Sequence, residues 1–250
     1  ALESALSHVK DPQSLILPYA FMITAVSLKA ALMPLFSWLP KAHGTPSAPS
    51  VVSAILSGLY VKTGIYVFLR LQLAFSPLID TSELFVILGF ITAIVGFILA
   101  LAQKDIKLLL AYSTVSQIGV IMIGINLGNP EAYWGGIYHL MNHAIFKSTL
   151  FLTAGMIISE YQTRNLDEIN GVFKHMPAVG VATILSILGI IGAPLFNGSI
   201  SKYLIASGSS GTWIEAGLIL INLGTIVVFI KYGQLLFGSS GKKETADSDI

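Results

Sequence analysis

The sequence contains no cysteine. That excludes disulfides, thiolate metal sites and cysteine-bound clusters, so any redox centre serving this protein lies elsewhere. Charge is scarce too: 11% of the residues are charged against 54% hydrophobic, where a soluble domain carries about 25% charged residues. The net charge of +1 is too small to argue for nucleic acid or an acidic partner. Acid is missing where it would matter most. None of the 13 acidic residues falls in the middle of an apolar run, and Glu83, Glu131, Glu160 and Glu215 all sit near run ends. The weak alternation of a β-barrel strand is absent, and so is a charged-then-apolar signal peptide. The chain opens at Ala1 on a polar stretch, ALESALSHVKDP, which is expected to belong to a piece of a longer protein.

What is present are apolar runs of about 20 residues, the length a helix needs to cross the hydrocarbon core of a bilayer. Bounded by Gly, Pro and charge, they cover roughly 14–34, 51–71, 83–102, 106–127, 131–160, 177–205 and 213–237. The fold class is therefore all-α, a polytopic transmembrane bundle of about seven spans. The sixth run contains Gly189, Gly192, Pro194 and Gly198, which fits either a broken helix or a simple proline kink. Backbone freed at a break survives in a membrane only where protein or a wet cavity satisfies it. Pro34-Leu-Phe36 in the first run echoes Pro194-Leu-Phe196 in the sixth, a hint of duplication. The two runs are read as crossing in the same direction, with their surrounding units inverted.

Basic residues sort between alternate loops. Lys41, Lys104, Lys107, Arg164, Lys174, Lys242 and Lys243 fall on one side, and Lys10 and Arg70 on the other. The positive-inside rule then sends the first span in from outside the cell membrane and leaves the C-terminus cytoplasmic. The tail GSSGKKETADSDI is polar throughout.

Several bases lie at spanning depth: Lys29, Lys62, Lys147 and Lys202, with His139 and His143 in the same run as Lys147. A charge at the bilayer centre costs about 2.5–3.5 kcal/mol on insertion scales. Snorkelling can absorb Lys29 or Lys202, but Lys62 has spanning residues on both sides. The spacing of His139, His143 and Lys147 is i, i+4, i+8, which stacks them on one helix face over about 12 Å. Such a ladder suits proton exchange, since histidine titrates near neutrality. Two histidines at i, i+4 could also hold a metal, but no carboxylate or cysteine accompanies them in the run, so no metal site is assigned. Every deep titratable group is a base, so counter-carboxylates are expected from outside this stretch.

Four passages, taken together, resemble the antiporter-like proton-translocating subunits of complex I, Mrp-type cation/proton antiporters and membrane-bound hydrogenases. They are Lys29-Ala-Ala-Leu-Met-Pro-Leu-Phe-Ser-Trp-Leu-Pro-Lys-Ala-His43 running into Pro46-Ser-Ala-Pro-Ser-Val-Val-Ser53; Leu59-Tyr-Val-Lys-Thr-Gly-Ile-Tyr66; Asp105-Ile-Lys-Leu-Leu-Leu-Ala-Tyr-Ser-Thr-Val-Ser-Gln117; and His139-Leu-Met-Asn-His-Ala-Ile-Phe-Lys-Ser-Thr-Leu-Phe151. The resemblance implies two inverted five-helix repeats, of which this chain holds the seventh to thirteenth helices of the family's core and one complete repeat. Residues 1–71 would end the first half-channel, 83–237 would form the second, and 238–250 would be a cytoplasmic tail. Pro34 and Pro194 would mark two helix breaks. Lys29 would be the central lysine of the first half-channel and Lys62 the linking lysine. His139, His143 and Lys147 would form the second relay, with Lys202 as its exit. The family's glutamate that pairs with the lysine at position 29 is not in this chain. Lys41, where many relatives have Asp, leans towards a branch outside complex I.

The expected function is proton translocation by a subunit of a redox-driven pump or Na+/H+ antiporter. Its partners would be other membrane subunits, the lipid bilayer, protons and, as a second candidate ion, Na+. No cofactor and no catalytic centre is expected in the chain. Two rival readings stand beside it: a secondary transporter of a small solute, and a structural subunit that conducts nothing.

Overall fold

The computed structural model describes residues 12–45 and 48–238. Lys10, Pro46, Ser47, Lys242, Lys243 and the tail beyond Gly238 lie outside the described residues. What is described is helical, with no strand among the described residues. The helices are α1 (Ile16–Lys29), α2 (Trp38–Gly44), α3 (Ser50–Phe75), α4 (Ser82–Ala102), α5 (Ile106–Asn126), α6 (Pro130–Tyr161), α7 (Pro177–Ile191), α8 (Asn197–Ser207) and α9 (Trp213–Gly233). By length and composition α3, α4, α5 and the run Trp213–Leu236 can each cross a membrane. The 32 residues of α6 are also long enough, and the remaining crossings are the pairs α1–α2 and α7–α8.

Both pairs are broken helices, and in both the proline sits in the turn between the halves. After α1 the chain passes through Ala31 at φ 57° and reaches Pro34 and a short 3₁₀ turn, Leu35–Ser37. Freed backbone groups find partners there: Met33 N–H donates to Thr92 Oγ1 (3.0 Å), and the Trp38 indole donates to the Leu28 carbonyl (2.7 Å). The first run thus continues past Pro34 to Gly44, well beyond the end expected from hydropathy, because Lys41 and His43 lower the apolar signal of its second half. The α7 helix stops at Gly192, whose φ of 80° gives the left-handed cap that glycine adopts freely. Ala193 N–H then closes on the Leu188 carbonyl (2.9 Å) before Pro194. This is a full break and not a kink.

The ends of the bundle fix its topology. At one end Arg164 donates to the carbonyls of His43 and Gly44, which finish α2. It also pairs at 2.8 Å with Asp105, the residue that caps α5 by accepting from the Lys107 and Leu108 amides. Lys231 donates to the Leu101 and Gln103 carbonyls at the end of α4 (2.7 Å each), and Lys107 to the Ala48 carbonyl. Lys107 is therefore buried and not a free loop cation. At the opposite end Asn129, which caps α6, donates to the Gly208 carbonyl just past α8, and Tyr19 bonds Thr81. So α1–α2 finishes at the end where α7–α8 begins. The two broken helices run in opposite directions, which corrects the same-direction reading: four crossings, an even number, lie between them.

Within the membrane, association relies on close packing and internal hydrogen bonds because lipid is as apolar as leucine. Small residues let α4 and α5 touch backbone to backbone. A methyl on Gly119 would fall 2.4 Å from the Gly89 oxygen, and one on Gly96 would fall 2.5 Å from the Ser116 nitrogen. Of the 21 residues of α5, 19 are buried, against 8 of the 21 in α4. We expect Gly119→Leu to cost about 1–3 kcal/mol or more through overpacking. Gly233→Ala, whose new methyl meets its nearest atom at 3.8 Å, should change stability by no more than about 0.5 kcal/mol. Thermal unfolding in detergent checks both, and equal effects would contradict the packing described.

Candidate functional site

The polar interior is organised by α5. Around Lys62, α3 contains a π-helical turn, Leu56–Tyr60, an irregularity often found at functional positions. The Lys62 ammonium donates to the Ser57 carbonyl in that turn. The Ser57 hydroxyl bonds Thr114 on α5 at 2.6 Å, and Thr114 donates to the Leu110 carbonyl (3.0 Å). That carbonyl also accepts from Lys147 at 3.0 Å, and Lys147 donates a second bond to the Ser113 hydroxyl. One turn of α5 thus receives Lys147 directly from α6 and is linked to Lys62 on α3 only through Ser57.

Lys147 is fully buried, with the Phe229 ring 5.2 Å from its ammonium, close enough for a cation–π contact. His143 and His139 follow it along the α6 face, also fully buried, and their ring centroids lie 6.4 Å apart. Neither His143 nitrogen has a protein partner, and the group lies within Coulombic reach of Lys62, Lys147, His139 and Lys202. His139 is tied on both sides, to Gln117 Oε1 through Nε2 (2.9 Å) and to Ser201 Oγ through Nδ1 (3.0 Å). Neither nitrogen is then free for a metal. Lys202 donates to Asn222 Oδ1 on α9 (2.8 Å) beside a cavity of about 100 Å³ lined in part by Val120, Ile221, Asn222 and Thr225. That is room for several waters.

The structure therefore brings Lys62, Lys147, His143, His139 and Lys202 into one polar line. Lys29 stands apart from it. Half-buried at the end of α1, it lies 4.9 Å from the centre of the Tyr60 ring and makes no hydrogen bond to the line. Among the described residues none of the four lysines is in an ion pair. Two ion pairs among the described residues, Lys104–Asp167 and Arg164–Asp105, lie at the bundle end. In the exposed first pair the lysine's affinity for its proton is raised by hydrogen bonding to Asp167, and the carboxyl is lowered by the same bond. Glu131 accepts instead from Ser207, and Glu215 from the Gly211 amide.

Sequence reasoning gave no role to the oxygens that hold the bases. Ser113, Thr114 and Gln117 lie within the passage Asp105–Gln117, at a visible i, i+1, i+4 spacing. Serine and threonine in membrane helices commonly bond their own backbone, so the signal did not separate wiring from filler. Ser57, Ser201, Asn222 and Thr225 carried no signal at all. The reciprocal pair Asn142–Asn197, which seats the start of α8 against α6, was also missed. So was His43: fully buried, stacked 4.5 Å from Phe151, with neither ring nitrogen bonded to protein.

The chain is similar to known membrane proteins over most of its length. The family model described as "NADH:quinone oxidoreductase/Mrp antiporter, TM" matches residues 2–228. Hydrogenase-4 component B of Escherichia coli (strain K12) is 41% identical over 192 residues, covering 70% of this chain and 28% of its own length. In the Mrp complex structure from Dietzia sp. DQ12-45-1b, one chain superposes with a TM-score of 0.86 at 28% identity, covering 92% of this chain and 44% of that one. In the structure of respiratory complex I from Thermus thermophilus with bound NADH the values are 0.85 and 27%, with 97% and 52% covered. The chain thus spans between about a quarter and a half of the length of the proteins it matches.

The absence of native cysteine makes the burial of the ladder directly measurable. In the detergent-solubilised chain, cysteine at Lys147 or His143 should resist an apolar maleimide. Cysteine at Met141 or Ile145, 66% and 62% exposed on the outer face of the same helix, should react at least tenfold faster. Equal labelling at positions 145 and 147 would place the ladder on the wrong face.

Proposed function

The chain belongs to the transmembrane family shared by NADH:quinone oxidoreductase and the Mrp antiporters, and from that premise we propose that it carries protons through the middle of the membrane along Lys62, Lys147, His143, His139 and Lys202. It is an integral membrane protein of the antiporter-like kind found in complex I, Mrp and hydrogenase assemblies. The observation that carries the proposal is that, among the described residues, no carboxylate holds these bases: Lys62, Lys147, His139 and Lys202 are bonded to hydroxyl, amide and carbonyl oxygens, and His143 to none. A lysine fixed as a structural cation is normally given a carboxylate. Here an ammonium and a neutral amine can both be accommodated, since a neutral amine also donates to a carbonyl.

Charge on one base of such a line acts on the next. Two unit charges at the 6.4 Å separation of the His139 and His143 rings repel by about 2–3 kcal/mol at an effective dielectric near 20. A proton arriving at one base therefore weakens the hold of the next. Water bridges the steps longer than a hydrogen bond, and the cavity beside Lys202 offers it room.

In this reading residues 1–71 end one half-channel with Lys29 as its central base, and 83–237 form the second. The acid that balances Lys29 comes from outside the chain, and other membrane subunits supply the driving force. The basic end, with Lys41, Lys104, Lys107, Arg164 and Lys174, faces the cytoplasm. Protons are the ion moved on this side of the exchange, with Na+ the counter-ion where the assembly is an antiporter.

Proton uptake into vesicles containing the assembled complex tests this. Lys147→Ala should lower the flux at least tenfold, while loss of the exposed Lys104 should leave it unchanged. Lys147→Arg keeps the positive charge but cannot release its proton, so it should fail as badly as alanine. Normal flux in Lys147→Arg would reduce the residue to a structural cation and overturn the relay.

A further inference from the structure

The contacts of His139 determine more than its burial. Thr225 donates its hydroxyl to the Ile221 carbonyl (3.0 Å), so its oxygen can only accept from the Gln117 amide, whose Nε2 lies 3.0 Å away. That fixes the amide the other way round at His139: Gln117 presents its oxygen, 2.9 Å from Nε2. An acceptor on that side requires Nε2 to carry a hydrogen, whatever the charge on the ring. The other nitrogen meets a group that can work both ways. Ser201 Oγ lies 3.0 Å from Nδ1 and 3.1 Å from the Gly198 carbonyl. With its hydrogen on Gly198, the hydroxyl accepts from Nδ1–H and the ring is an imidazolium. With the hydroxyl turned to donate to Nδ1, the ring is neutral. The turn is inexpensive, since Gly198 sits in the first turn of α8, where the amide four residues on supplies a helical donor. All four residues are buried.

We infer that His139 exchanges its proton through Nδ1 alone, with the Ser201 hydroxyl as the immediate donor and acceptor, while Thr225 and Gln117 keep Nε2 protonated throughout. Gln117 and Thr225 are positioning residues, and Ser201 is the contact through which the proton passes. In the loading step the Ser201 O–H breaks as the Nδ1–H forms, and Ser201 regains a hydrogen from the Lys202 ammonium through water. Imidazole becomes imidazolium, ammonium becomes amine, and the serine is unchanged. The charged neighbours that bear on this exchange are His143 on the same helix, Lys62 from α3 and Lys202 from α8.

The inference rests on the proton-carrying reading above, but its test is separate. In ¹⁵N-histidine-labelled full-length protein in lipid membranes, the His139 signals are assigned by their loss in His139→Asn. The neutral ring should appear as the Nε2–H tautomer alone. Thr225→Val, which removes the anchor of the amide, should give a mixture of tautomers. Ser201→Ala should keep the Nε2–H tautomer but lower proton exchange at Nδ1 and transport flux at least tenfold, and Ser201→Thr should restore both. A neutral Nδ1–H tautomer in the unaltered protein would overturn the inference, as would full flux in Ser201→Ala. Either result would leave the Lys147 test standing on its own outcome.

Discussion

Lys147 lies fully buried with its ammonium held by one backbone carbonyl and one serine hydroxyl. Much of the interior follows from having to satisfy a base at that depth without an acid. A buried charge or amine must be surrounded by acceptors, and with carboxylates absent from mid-span only neutral oxygens remain. They have to come from a helix that is itself protected, since hydroxyls facing lipid would be wasted. So α5 carries Ser113, Thr114 and Gln117, and other helices surround it. The glycines that bring α4 against it and the opposed broken helices serve that enclosure. The breaks contribute directly: the start of α8 brings Ser201 to His139 and Lys202 to Asn222.

The fold was largely readable from the sequence, because membrane spans are written in long apolar runs with punctuated ends. The ladder of α6 was readable for a related reason. Bases at i, i+4 and i+8 in an apolar run cannot all be placed cheaply unless they share an inward face. Direction of crossing was misjudged for the broken pair, though the loop clasp at Arg164 leaves no doubt about it. The end of the first broken helix was also misplaced. Its second half, with Trp38, Pro40, Lys41 and His43, is short and polar enough to look like a loop, and its final carbonyls are held by Arg164 from far along the chain.

The neutral partners of the bases were hidden for a different reason. A serine that holds a lysine and one that merely bonds its own helix look alike in one dimension. Gln117 gains its meaning from Thr225, a residue more than a hundred positions away, and His139 gains its second contact only when the break turns α8 back towards α6. Pairings made across a fold leave no spacing to read. Lys29 shows the complementary limit: its place in a motif was evident, but in the structure it meets an aromatic ring and no hydrogen-bonding line.

The burial of α5 also decides how the bilayer can act on this protein. Helices α4 and α9 turn much of their surface outward, so a membrane thinner or thicker than their apolar length tilts or stretches them, at fractions of a kcal/mol per Å of mismatch. The hydroxyl-bearing helix has almost no lipid contact of its own. Lipid forces reach it second-hand, through the glycine seam with α4, where backbones already touch and no slack is left. A change in membrane thickness would therefore arrive at the oxygens that hold the bases as a small rigid displacement of a whole helix and not as a local loosening.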